Sequence, residues 1–317
     1  MNPRSISAAE IIKNFTFLGA VTAIEEALKG GLDPAADLQR SILPIEKGEL
    51  LVMPATSREG SGIKILTIAP NNPALNQPRI QGVYILFDKE NLSISSLLDG
   101  AALTTYRTPA ISFAAIRPAL ELSQEDLSVV VFGSGPQAIS HIQTLAAVLP
   151  AQLKVKNVAF VARDLEKAKQ RVPDLAGLRL NPECTVQILS ADSAEVNGHL
   201  QRADLVIAAT TARSPLFDSS LLKNSVIVVA VGSHAATQAS SRRSKASSFS
   251  VTPTSPFRPS TGKPWKARSS VRLTPCARAS PMRLMGKASG WQSTGSLRSR
   301  RSSTLTSFSA GPMPPSA

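Results

Sequence analysis

The chain lacks the residues that would mark several common protein classes. It has two cysteines, Cys184 and Cys276, too few for a disulfide framework, and no Cys/His cluster has metal-ligand spacing, so no metal site is expected. No apolar run is long enough to cross a bilayer, and Met1-Asn2-Pro3-Arg4-Ser5 lacks the apolar stretch of a signal peptide. The expectation is a soluble cytoplasmic protein with no membrane partner. The sharpest absence is of acid. Residues 239–317 contain no Asp or Glu and carry 14 of the 35 Lys and Arg residues. Residues 1–238 hold all 22 acids against 21 basic residues, a net charge of −1, so the formal +13 belongs to the tail and not to the body.

What is present is organised around 128–138. Val129 to Phe132 form an apolar run that stops at Gly133-Ser134-Gly135, and a helical pattern resumes at Pro136. A buried strand, a tight glycine turn and a helix start make an anion site suited to a dinucleotide pyrophosphate. Gly133 permits the turn, Gly135 lets backbone approach phosphate, and Ala138 allows close helix–strand packing; Pro136 and Gln137 open the helix. Apolar runs at 155–161, 184–189, 204–208 and 226–231 follow, with helical stretches 139–148 and 165–171 between them. This is the pattern of a doubly wound parallel sheet.

Before the glycine turn, 7–31 reads as one helix with Ser7 and Glu10 as a capping box and Gly30-Gly31 as its stop. Strand-like runs follow at 39–44, 49–53, 62–68, 81–87 and 92–98, a mixed and largely antiparallel sheet. A helix spans 101–120, or starts nearer Pro109, which is awkward deep inside a helix. The fold class is therefore α/β: an N-terminal α+β domain over 1–125 and a Rossmann-type domain over 126–238.

Several side chains carry the functional reading. Arg163 ends the second strand of the dinucleotide unit, where an acid would accept from the ribose of NAD and an arginine can pair with the 2′-phosphate of NADP; the plain alternative is a surface arginine. Asp164 can cap the next helix. Thr210 and Thr211 lie at the carboxyl end of a strand, on the ligand edge of such a sheet. Lys64 is a charge inside the apolar run Ile63-Lys64-Ile65-Leu66, where the alternatives are a ligand-binding cation and a strand-edge lysine facing water. His141 is read as a helix-surface or packing residue, His199 as loop, and Cys184 as a small core residue.

With those residues in hand, 1–238 resembles the ornithine cyclodeaminase/mu-crystallin family. The matching pieces occur in the family's order: Met53-Pro54-Ala55, Gly62-Ile63-Lys64, the turn from Pro78 to Gln81-Gly82, Leu86-Phe87-Asp88, Leu103-Thr104 with Arg107-Thr108, the glycine turn through Ala138, and Val231-Gly232. The resemblance implies a homodimer in which 1–125 serves substrate binding and dimerisation, a Rossmann domain binds NAD(P), and an amino or imino acid lies between the two domains. Arg40, Lys64 and Arg107 match the groups that hold the substrate carboxylate, which suits bidentate guanidinium contacts, and Thr108 would lie near the nicotinamide. Where cyclodeaminases place an aspartate base, this chain has Gly232-Ser233-His234; Arg79 replaces a small polar residue. The resemblance therefore implies an NADPH-dependent imino-acid reductase (NADH or NAD being the other cofactor choices), with Lys64 and His234 as catalytic candidates and His234 as proton donor or as a polar wall. Ornithine cyclodeamination, a non-catalytic crystallin-like NADP binder and an inactive truncated member are the alternatives.

The segment 239–317 is rich in Ser, Arg and Pro. It is expected to be disordered, since it cannot bury enough surface to offset its ordering entropy. Its sudden onset inside the family's motif reads as a shifted reading frame or a mispredicted intron, which would leave the parallel sheet without its sixth strand; non-specific nucleic-acid binding is the reading for a native tail.

Overall fold

The computed structural model describes residues 2–172, 183–212 and 214–231, and the backbone of 248–250. These lie within one unit, Met1–Ala277. The N-terminal elements are β1 (Arg4–Ile6), α1 (Ala8–Asn14), α2 (Phe17–Lys29), β2 (Ser41–Ile45), β3 (Gly48–Ser57), β4 (Gly60–Ile68), β5 (Ile80–Phe87) and β6 (Ile94–Asp99), followed by α3 (Gly100–Glu121). The six strands form one sheet in the order β1-β6-β5-β4-β3-β2. All pairs are antiparallel except β1 with β6.

One expectation for this half is corrected, one strand is added and one open choice is settled. The single helix over 7–31 is two helices. The Ser7–Glu10 capping box starts α1 as expected, but Thr16 caps a second helix by accepting from the Gly19 amide at 3.0 Å. A β-branched hydroxyl in extended backbone competes with helix continuation. β1 was not anticipated, because three residues carry no periodicity. Of the two helix starts offered by the sequence, 101 or nearer Pro109, the structure takes the first. α3 runs unbroken through both Pro109 and Pro118, its start fixed by Asp99, whose carboxylate accepts from the Ala102 amide at 2.7 Å. Burial of Pro109, Phe113, Ile116 and Leu120 outweighs the lost backbone bonds.

The second sheet contains β7 (Leu127–Phe132), β8 (Val155–Ala162), β9 (Thr185–Ser190), β10 (Leu205–Ala208), β11 (Ile227–Ala230) and β12 (Ser248–Ser250), with α4 (Pro136–Val148), α5 (Leu165–Arg171) and α6 (Glu195–Arg202) between strands. Every pair is parallel and the order is β9-β8-β7-β10-β11-β12. Successive side chains alternate between faces. Val129, Val131, Val158 and Phe160 pack with α4 and with Phe113 and Ile116 of α3. Val130, Phe132, Ala159 and Val161 pack with Val196 and Leu200 of α6. The sheet is doubly wound, covered on both faces. His199, read as loop, lies in α6, and Cys184 is half-buried just before β9.

The expected lack of a sixth strand is corrected as well. Ser248–Ser250 pairs in parallel with Val228 to Ala230. Its composition gave no strand signal, because serine flanks a single phenylalanine; backbone pairing to an open edge does not require apolar side chains. The remainder of the 239–317 segment lies outside the described residues, as do Gly232, Ser233 and His234. No described helix is long and apolar enough to cross a membrane.

Candidate functional site

The strand order reverses between β8-β7 and β10-β11, and ligands of open α/β sheets bind at the carboxyl end of that switch point. The glycine turn lies there. Gly133 takes φ +105° and donates its amide to the Val161 carbonyl at 2.9 Å. A Cβ on it would stand 2.6 Å from the Ala209 carbonyl oxygen, so both backbone conformation and space demand glycine. Gly135 differs. It is the N-cap of α4, offers no side-chain cap, and a Cβ there would meet nothing within 4 Å. The first amides of α4 thus point into open space beside an uncovered backbone, a cradle suited to phosphate. Pro136 opens the helix and Ala138 is fully buried beneath it.

Two polar atoms near this turn are buried without a partner, Thr108 Oγ1 and Gln137 Oε1. Gln137 spends its amide nitrogen on the Thr104 carbonyl of α3 at 3.4 Å. A buried unpaired oxygen is costly unless a ligand completes it. Thr210, after β10, accepts from the Ala212 amide at 3.2 Å through its hydroxyl, while Thr211 is exposed. Arg163 directly follows β8 and is exposed. Asp164 beside it is committed to α5, accepting from the Lys167 amide at 3.0 Å and pairing with the Lys167 ammonium at 2.9 Å.

The second part of the site is cationic. Lys64 sits in the middle of β4, between Met53 of β3 and Tyr84 of β5, and is 6% exposed. Burial, then the charges of Arg107 and Arg40, push its ammonium down to about 7. Burial, then Arg40, push the Arg107 guanidinium down to about 10. Arg107 Nε is buried and unpaired. Arg40, half-buried at the entrance to β2, completes a trio of mutually repelling cations. An anion among them would offset this repulsion. The structure brings Arg40, Lys64 and Arg107 together on one side and Thr108, Gly133, Gly135 and Gln137 on the other. The hinge between them is α3, on which Arg107 and Thr108 are neighbours. Arg79 is exposed in the turn before β5.

His141 is a packing residue rather than a surface one, fully buried between α3 and α4. Ser112, which hydrogen-bonds with α4, was not singled out from the sequence, and Thr104, whose carbonyl accepts from Gln137 of α4, entered only as part of a family motif. The spacing 104, 108, 112 on α3 against 137, 141 on α4 is a four-residue polar ladder on two helices, and would have exposed them.

A family model described as the ornithine cyclodeaminase/mu-crystallin family matches residues 5–242. Delta(1)-pyrroline-2-carboxylate reductase 2 of Burkholderia ambifaria is 27% identical over 206 residues, 62% of this chain and 59% of that protein. The Delta(1)-pyrroline-2-carboxylate/Delta(1)-piperideine-2-carboxylate reductase of Azospirillum brasilense is 26% identical with the same coverage. The chain therefore spans less than two thirds of the length of these relatives. Among solved structures, the Thermococcus litoralis Delta(1)-pyrroline-2-carboxylate reductase, in complex with NADH and L-proline, superposes with a TM-score of 0.61 at 22% identity, over 72% of this chain and 68% of that one. An archaeal alanine dehydrogenase dimer with bound NAD gives 0.60 at 22% identity, over 72% and 67%. These two share the fold. With the family model covering 5–242, the chain belongs to the ornithine cyclodeaminase/mu-crystallin family.

Proposed function

We propose that the protein is a nicotinamide-dependent reductase of cyclic or linear imino acids, giving L-amino acids. The observation that carries this reading is the placement of an unneutralised cation trio beside a glycine cradle with two orphaned polar oxygens. The named reductase relatives and the nicotinamide-bound neighbours support it.

The chain's own residues fit both ligands. The α4 amides, with Gly133 and Gly135, would hold the pyrophosphate, and Gln137, Thr108, Thr210 and Thr211 offer polar contacts along the cradle. Bound there, a reduced nicotinamide supplies the hydride that an imine carbon accepts. Arg107 and Arg40 would clamp the substrate carboxylate, offsetting their mutual repulsion. Lys64 has two roles to choose between at neutral pH, because its ammonium is held near 7: charged, it adds to the clamp and can give its proton to the nitrogen side of the imine; neutral, it cannot. Exposed Arg163, with Asp164 turned away into a helix cap, supports NADPH over NADH.

The N-terminal sheet supports a homodimer. Lys64, Leu66 and Leu98 face inward, whereas Val52, Ile63, Ile65, Val83, Ile85 and Leu97 share the opposite face and stay half-exposed. An apolar sheet face of this size left to solvent is a self-association surface. Ile65→Glu is expected to lower the sedimenting mass to that of one chain.

The direct test is cofactor oxidation, followed by absorbance, on mixing the protein with NADPH or NADH and pyrroline- or piperideine-2-carboxylate. Turnover is expected. Cofactor binding without turnover of any imine would mark a non-catalytic binder, and ammonia release from ornithine with NAD would mark a cyclodeaminase.

A further inference from the structure

We propose that His141 and Ser112 are a positioning pair, pinning α3 against α4 at the spacing where Thr108 Oγ1 and Gln137 Oε1 face the cofactor. This inference rests on the cofactor reading above. The ring of His141 is fully buried, with Nδ1 2.6 Å from the Gln137 carbonyl and Nε2 3.1 Å from the Ser112 hydroxyl. A carbonyl only accepts, so Nδ1 carries the proton and donates. Burial holds the ring neutral, with its pKa pushed down to about 4. One ring proton leaves Nε2 as an acceptor, and the Ser112 hydroxyl donates to it. The Thr108 carbonyl, 3.3 Å from Ser112 Oγ, is the longer of the two contacts open to that hydroxyl.

The placement of the pair gives it its role. Ser112 lies one turn beyond Thr108 on α3, and His141 one turn beyond Gln137 on α4. The direct bridge between the helices thus stands next to the two residues whose side-chain oxygens are buried and unpaired. Gln137 Nε2 on the Thr104 carbonyl is a second tie, one turn in the other direction. The apolar ring of Phe113 packs beside His141, the two ring centroids 6.2 Å apart. An apolar contact would leave the helices free to slide, whereas a donor–acceptor chain sets distance and direction. His141 and Ser112 reach the cradle only through the backbone carbonyls of Gln137 and Thr108, and act through those two residues.

The test uses the full chain and titrates NADH and NADPH against the wild type, Ser112→Ala, Thr108→Val and the double variant, with a thermal melt of each. Ser112→Ala is expected to weaken cofactor binding about tenfold, the worth of one buried hydrogen bond. Thr108→Val is expected to weaken binding in the wild-type background and to add less than about twofold to Ser112→Ala, because both act through one oxygen. His141→Asn keeps an amide donor for the Gln137 carbonyl but cannot reach Ser112, and is expected to share the loss. Unchanged affinity with only a lowered melting temperature, or strictly additive losses, would overturn the inference and leave the cofactor reading intact. No binding by the wild type would overturn the cofactor reading and this inference with it.

Discussion

Gly133 lies so close to Ala209 that a methyl group on the glycine would stand 2.6 Å from the alanine's carbonyl oxygen. Gly135, two residues on, faces open space. The two glycines of one motif therefore predict opposite phenotypes. Gly133→Ala should cost about 1–3 kcal/mol of folding stability through its positive φ and its clash. Gly135→Ala should leave the melting temperature nearly unchanged and weaken cofactor binding by about tenfold or more, since the methyl fills only space the phosphate would use. Thermal melts and cofactor titrations of the two variants separate these outcomes.

Lys64→Met should stabilise the ligand-free protein by about 1–3 kcal/mol, because it removes a buried charge held beside two like charges. The same change should raise KM for an imino acid at least about tenfold by removing one of three cations from the carboxylate clamp. Urea unfolding and steady-state kinetics read the two effects, and destabilisation by Lys64→Met would mean that the lysine is already paired.

His141 predicts a pH dependence of stability. Its folded-state pKa of about 4 lies below the ordinary value of 6.5, so the unfolded chain binds the proton more readily. Stability contributed by the neutral ring is full above about 6.5 and lost as pH falls toward about 4, to a total on the order of 3 kcal/mol. Lys64 acts in a different window: held near 7 against 10.5, it makes stability rise as pH goes from about 7 toward 10.5. Urea midpoints across pH should show the acid-side slope in the wild type and a shallower one in His141→Gln.

Arg163→Ser should weaken NADPH binding about tenfold and leave NADH binding within about twofold, if the exposed guanidinium meets a 2′-phosphate. Equal affinity of the wild type for both cofactors would remove Arg163 from the site.

The parallel strands of the second sheet were legible because strands buried on both faces read as continuous apolar runs, as Val129 to Phe132 does. Ser7 and Glu10 announced α1 through a capping box, yet Thr16 hid a second cap inside what reads as one amphipathic run. Pro109 pointed to a helix boundary that tertiary burial of Phe113 and Ile116 overrode. Lys64 could be picked out from its apolar neighbours, but its repulsion with Arg40 and Arg107 comes from three elements that only folding brings together. Ser112 and His141 are 29 residues apart, and the four-residue polar spacing on each helix does not by itself say that the two helices meet. Ser248 to Ser250 join the sheet by backbone pairing, which leaves no trace in side-chain periodicity.

Arg107 and Thr108 are adjacent residues of α3, an unbroken helix. Adjacent helical residues differ by a fixed 1.5 Å rise and about 100° of rotation. In the proposed function one of them holds the substrate and the other faces the cofactor. The helix is then a ruler: the offset between the two reactants is written in a single peptide unit and does not depend on how far one sheet swings against the other.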